Sequence, residues 1–320
     1  MEYRKAGKSG LFLPELSLGM WQNFGKDADD IECRNIIKTA FDNGITYFDL
    51  ADNYGPPAWS AEERFGKIAR DLLTRHRDEI VIATKAGYDC WDGPYGNWGS
   101  KKHLIASLDK SLKLFGIEYV DIFYHHRPDP ETPMEETAEA LETIVRSGKA
   151  LYIAISNYNF DEARKMAMIM KRKGFHILVD QVRYNIIDRH IERDNLLKGL
   201  GELGIGCVAF SPLNQGILTE KYISGNIPHD SRGMRSDRVR KELTSGLING
   251  LTKLDGLAKG RGQTISELAI AWLLSHGEVT SVLIGARTEA QLMSNIIALG
   301  KSREFLESEL NFIDECFNRK

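Results

Sequence analysis

A chain of 320 residues is long for one average domain but ordinary for an α/β barrel, which commonly runs to about 250 residues plus insertions. Its formal net charge of −3 and pI near 6.3, with Lys and Arg dispersed rather than blocked, leave no electrostatic footprint for nucleic acid. The opening MEYRKAGKSGLFLPELSLG has no continuous apolar core, and no stretch approaches the roughly 18 apolar residues of a membrane span, so a soluble, cytoplasmic protein without a membrane partner is expected.

The first dozen residues, with Gly7 and Gly10 flanking a turn, read as a small β-hairpin. From Glu15 onward strand and helix alternate. Strands are predicted at LSLG (16–19), TYFDL (46–50), EIVIATK (79–85), VDIFYH (120–125), ALYIAIS (150–156), ILVDQ (177–181), GCVAFS (206–211) and TSVLIG (280–285), eight in all. They are rich in Val, Ile, Phe and Leu, as strands covered on both faces must be. Amphipathic stretches such as IECRNIIKTAFDNG, KKHLIASLDKSLKLFG and MEETAEALETIVRSG lie between them, the last stopped by Gly148. Eight such units predict a (β/α)8 TIM barrel, one domain over 1–320, rather than a doubly wound open sheet. A G-x-G-x-x-G does occur at Gly199, Gly201 and Gly204, but it precedes a strand. A phosphate cradle must follow one and open a helix, so these glycines read as a helix-to-strand connection. Two long connections, Gly87 to Ser100 and Leu213 to about Leu247, follow strands and belong on the C-terminal face. Cys33, Cys90, Cys207 and Cys316 show no C-x-x-C spacing and read as reduced thiols, Cys33 and Cys207 buried.

Four polar residues close strands or the loops after them: Asp49 and Tyr54 in GITYFDLADNYG, Lys85 in IVIATKAG and His126 in YVDIFYHHRPD. In a barrel they gather at one end of the sheet. Asp49 and Tyr54 can both face the mouth, although a capping aspartate and a surface tyrosine would use the same positions. Lys85 after IVIAT is costly to desolvate unless a carboxylate such as Asp49 pairs with it; a snorkelling lysine is the plainer alternative. His125 and His126 point to opposite sides of a continuing strand, so only one can line the interior. No His-x-His spacing or second His or Cys cluster marks another strand end, so no metal is assigned. Phenol, ammonium, carboxylate and imidazole together make a proton-donor site.

This pattern of Asp, Tyr five residues on, Lys after the third strand and His after the fourth resembles the aldo-keto reductase superfamily over nearly the whole chain. NYGPP, SAEERFG, TKAGYD, GPYG, YVDIFYHHRPD, TPMEET and SPLNQGILTEKY are similar to the branch of L-glyceraldehyde 3-phosphate reductases and potassium-channel β subunits. Channel subunits carry Asn where this chain has His126, which favours a working reductase over an NADPH-binding regulatory subunit. The resemblance implies NADPH-dependent reduction of small aldehydes, glyceraldehyde 3-phosphate or methylglyoxal among them, in a branch that often forms homo-oligomers. Tyr54 would be the general acid, its pKa drawn from about 10 toward neutrality by Lys85, which Asp49 holds. A neutral His126 would orient the carbonyl oxygen.

By the same resemblance Ser156, Asn157 and Gln181 would hold the nicotinamide carboxamide, with Asp49 and Trp21 bordering the pocket and Phe210 stacked under the ring. A cap of the next helix is the plainer alternative for Asn157. Ser211, Pro212, Leu213, Gly216 and Lys221 would follow the pyrophosphate, Arg232 closing over it. Gly285 would open a helix presenting Arg287, Gln291 and Asn295 on one face, an anion site suited to a 2′-phosphate and hence to NADPH. Ser294 departs from the Glu that channel subunits place there. Trp91, Tyr95 and Trp98 either wall the substrate pocket or simply pack their loop, and Arg127 is placed to receive a substrate phosphate.

Overall fold

The computed structural model describes residues 1–229 and 231–317. A hairpin of β1 (Tyr3–Lys5) and β2 (Phe12–Pro14) precedes eight parallel strands: β3 (Leu16–Gly19), β4 (Tyr47–Asp49), β5 (Val81–Ala86), β6 (Val120–His125), β7 (Ala150–Ser156), β8 (Ile177–Arg183), β9 (Gly206–Phe210) and β10 (Val279–Ile284). They close in the order β10-β3-β4-β5-β6-β7-β8-β9, with Ile284 opposite Leu18 sealing the seam. The architecture is the (β/α)8 barrel that the sequence predicts. The predicted ends shift by a residue or two; β5 starts late because 74–79 forms a 3-10 turn.

Alternation sorts each strand between two cores. Tyr47, Ala83, Ile122, Tyr124, Ala154, Val179, Val208 and Leu283 fill the interior. Their neighbours pack outward against α1 (Asp30–Asp42), α2 (Ser60–Leu72), α3 (Lys101–Phe115), α4 (Met134–Arg146), α5 (Phe160–Arg172) and the later helices Leu196–Leu203, Ile265–Ser275 and Glu289–Ile297. Caps fix where these helices begin: Ser100 accepts from His103 N at α3, and Asn159 forms a capping box with Glu162 at α5. The α5 cap is thus Asn159, not Asn157.

The hairpin plugs the N-terminal end, where Ala6 and Leu13 join the interior core and Lys8 N donates to Gly204 O ahead of β9. The three glycines of the G-x-G-x-x-G sit in and after Leu196–Leu203. A Cβ on Gly199 would lie 2.1 Å from the Phe160 ring, and Gly204 ends the helix at φ +77°, so the motif is packing. Both long loops lie at the opposite, C-terminal end; Asp230, in the second, lies outside the described residues. Among the described residues no helix is long and apolar enough to cross a membrane. All four cysteines are free, with Cys33, Cys207 and also Cys316 buried.

Candidate active site

Interior side chains of adjacent strands meet at the C-terminal mouth. Lys85 is fully buried near the end of β5, and its Nζ donates to Asp49 Oδ2 at 2.5 Å, to Leu50 O at 2.7 Å and to Tyr54 Oη at 3.3 Å. Three acceptors for three ammonium protons are what allow a charge to stay in a dry site. Asp49 Oδ1 accepts from Gln181 Nε2 at 2.8 Å and from Tyr47 Oη at 3.2 Å, and the Tyr47 and Tyr124 hydroxyls lie 2.6 Å apart. Tyr54, on the loop after β4, is 8% exposed, and its ring meets His126 edge-on at 5.8 Å.

Burial lowers the Lys85 pKa, with Asp49 opposing the shift. Burial, and after it the Asp49 carboxylate, push the Tyr54 phenol well above its ordinary 10. The expected drop toward neutrality is therefore absent; the phenol stays protonated, the form a proton donor needs. Burial first, then Lys85, holds His126 well below the ordinary 6.5, so it is neutral at pH 7. His125 turns outward, its Nδ1 2.7 Å from Tyr158 Oη, as the alternation rule requires.

The residues read as a cofactor cradle ring the mouth in three groups. Ser156 Oγ donates to Gln181 O at 2.8 Å, and Asn157 Nδ2 donates to His126 O at 3.0 Å. With Gln181 Nε2 committed to Asp49, most of this trio's donors already serve the protein. Asn157 at φ +61° and Ser211 at φ +55° bend the chain sharply off β7 and β9, the kind of local strain that marks functional strand ends. Phe210 is half-buried, Pro212 buried, Ser211, Leu213 and Gly216 half-buried, and Lys221 exposed on the same connection. Arg232 lies 5.3 Å over the exposed Trp21 ring and beside Arg235, in a recess also lined by Gln22, Asn23 and Ser236. In the third group Gly285 follows β10 but does not open the helix: Thr288 caps it and Glu289 starts it, so Arg287 stands just before the cap. Arg287 N donates to Gln291 Oε1 at 2.9 Å; Asn295 is buried on the same helix.

Arg127 does not stand free for a phosphate. It is sandwiched between Tyr88 at 4.1 Å and Trp98 at 3.7 Å, and donates to Gly87 O and Asn97 Oδ1, bracing the Gly87–Ser100 loop. Tyr47 and Tyr124 escaped the sequence reading, although each lies two residues before a site residue, Asp49 and His126, and so shares its face. Asp52, Cys90 and His103 also converge, from the loops after β4 and β5 and the first turn of α3.

The Aldo/keto reductase family model matches residues 15–318. The chain is 51% identical over 320 residues to the L-glyceraldehyde 3-phosphate reductase of Escherichia coli (strain K12), covering 98% of this chain and 92% of that protein. It is 35% identical over 303 residues to a probable voltage-gated potassium channel subunit beta of Oryza sativa subsp. japonica, covering 93% of this chain and 91% of that protein.

Proposed function

The chain belongs to the aldo/keto reductase family and is an oxidoreductase, and from that premise we propose that it reduces small aldehydes to alcohols with NADPH. The supporting observation is the buried Asp49–Lys85–Tyr54 chain with neutral His126 beside the phenol. NADPH, when bound, supplies the hydride to the carbonyl carbon. Tyr54 then donates its proton to the carbonyl oxygen, and Lys85 stabilises the phenolate that remains, its own charge held by Asp49. His126 orients the oxygen. Ser156, Asn157, Gln181 and Phe210 would hold the nicotinamide end, the Ser211–Lys221 connection with Arg232 the pyrophosphate, and Arg287, Gln291 and Asn295 the 2′-phosphate end. One feature fits such a ligand: the strained turns off β7 and β9. Short aldehydes of the glyceraldehyde 3-phosphate and methylglyoxal type suit a mouth walled by Trp21, Tyr88 and the Gly87–Ser100 loop.

Purified protein given NADPH or NADH and a panel of short aldehydes tests the reading by loss of reduced-cofactor absorbance. Turnover with NADPH well above that with NADH is expected. Background rates with every aldehyde would sink it. Tight NADPH binding without turnover would instead support a regulatory subunit like the channel-subunit relatives.

A further inference from the structure

Behind the mouth, three side chains from separate segments converge: Asp52 after β4, Cys90 in the Gly87–Ser100 loop and His103 in the first turn of α3. One ligand atom of each lies within 4.8 Å of the others. Asp52 and His103 are wholly buried and Cys90 is half-buried. None of the three has a part in the reaction proposed above.

The hydrogen accounting at this cluster does not close. His103 Nδ1 lies 2.7 Å from Trp98 O, and a carbonyl only accepts, so Nδ1 carries the hydrogen and Nε2 of the neutral ring is a bare lone pair. Nε2 faces Asp52 Oδ2 at 3.8 Å, too far for a hydrogen bond, and is buried without a partner. Ser107, one turn along the same face of α3, is buried beside Asp52. Buried lone pairs turned on one another want a positive charge between them.

We propose that Asp52, Cys90 and His103 bind one divalent cation of the zinc class. A carboxylate oxygen, an imidazole nitrogen and a sulfur suit a borderline first-row ion and not magnesium or calcium. Bonds of about 2.0–2.3 Å around a tetrahedron hold ligand atoms roughly 3.3–3.8 Å apart, so the observed spread closes with small side-chain rotations. The bond from His103 Nδ1 to Trp98 O is the outer contact that fixes the tautomer of a metal-bound histidine. Binding releases to solvent the Cys90 proton now donated to Tyr88 O, and carboxylate plus thiolate then neutralise the dication. The Ser107 hydroxyl or a water completes four ligands.

The site is a staple. Asp52 N donates to Lys85 O and Trp59 N to Asp52 O, so the ion ties the Cys90 loop and α3 to the backbone that carries Lys85 and Tyr54. Trp91 meets the His103 ring edge-on at 5.0 Å and stacks on Trp59.

The test is a Co2+ titration of the full chain after dialysis against a chelator. One equivalent should bind with thiolate-to-cobalt charge-transfer absorption, Zn2+ should displace it, and Zn2+ should raise the melting midpoint. The band should vanish in Cys90→Ser and Asp52→Asn and survive in Cys33→Ser and Cys316→Ser. Far-UV circular dichroism shows which variants fold; should Asp52→Asn not, Cys90→Ser decides. No thiolate band in the wild type, or a band that survives Cys90→Ser, overturns the proposal. A simple Asp52–His103 ion pair gives that first result, with melting indifferent to Zn2+.

Discussion

At the scale of single residues, the proposed proton donor and its supports can be separated by substitution. Tyr54→Phe keeps the ring that sits 4.7 Å from Lys85 Nζ and removes only the hydroxyl. General-acid catalysis is worth about 10²- to 10⁴-fold, so kcat should fall by that order while NADPH binding, followed by fluorescence, is kept. A rate within a few-fold of wild type would remove Tyr54 from the role. Glu62, behind β5, sets a different property. It is fully buried, accepts from Thr84 Oγ1 and Ser111 Oγ, and burial raises its pKa from 4.5 to about 8. Between those pH values the folded chain holds a proton that the unfolded chain has lost, so stability is greatest below pH 4.5 for this group. It declines by at most about 1.4 kcal/mol per pH unit until the folded pKa is passed. Melting curves from pH 5 to 9 should show a shallower decline in Glu62→Gln than in wild type; parallel curves would mean Glu62 does not titrate in this window. Asp49 and Lys85 were legible because an ammonium ending an apolar strand demands a carboxylate. The Asp52–Cys90–His103 group was not, since its members lie far apart in sequence and come together only through a loop fold.

Among elements, the strands were read well because burial on both faces leaves uninterrupted apolar runs, as in VDIFYH and ALYIAIS, whose ends match β6 and β7. The start of the helix after β10 was misplaced. Gly285 looked like its opening, whereas Thr288 caps it through Gln291 N, a local bond that spacing alone does not reveal. Helix contacts also give glycine a meaning that composition hides. Gly66 on α2 meets the end of α3 so closely that a Cβ would lie 2.1 Å from Leu114 O, a backbone atom that cannot swing aside. Gly201, in the helix Leu196–Leu203, has nothing within 4 Å of such a Cβ. Gly66→Ala should therefore lose about 1–3 kcal/mol in urea unfolding, the usual cost of overpacking. Gly201→Ala should gain roughly 0.5–1 kcal/mol from better helix propensity. Equal effects of the two would show that the α2–α3 contact yields more easily than the packing implies.

For the whole molecule, the barrel divides its labour between two ends. Asp49, Tyr54, Lys85 and His126 crowd the C-terminal mouth, and the hairpin seals the other end with Ala6 and Leu13 against the interior core. In such barrels chemistry sits at the C-terminal face and the opposite face serves stability. Leu13 is fully buried in that plug, and truncating a leucine to alanine in a core costs about 2–5 kcal/mol from lost contacts and the cavity left behind. Leu13→Ala should thus lower the urea midpoint while kcat and the aldehyde KM, measured where the variant is still folded, stay at wild-type values. Between plug and mouth the interior is bridged by the Tyr47–Tyr124 hydroxyl pair and its bond to Asp49. That bridge ends on Asp49, the carboxylate that holds Lys85. A fall in kcat that tracks the loss of stability across Leu13→Val and Leu13→Ala would mean the two ends are coupled through it, and the division of labour would be refuted.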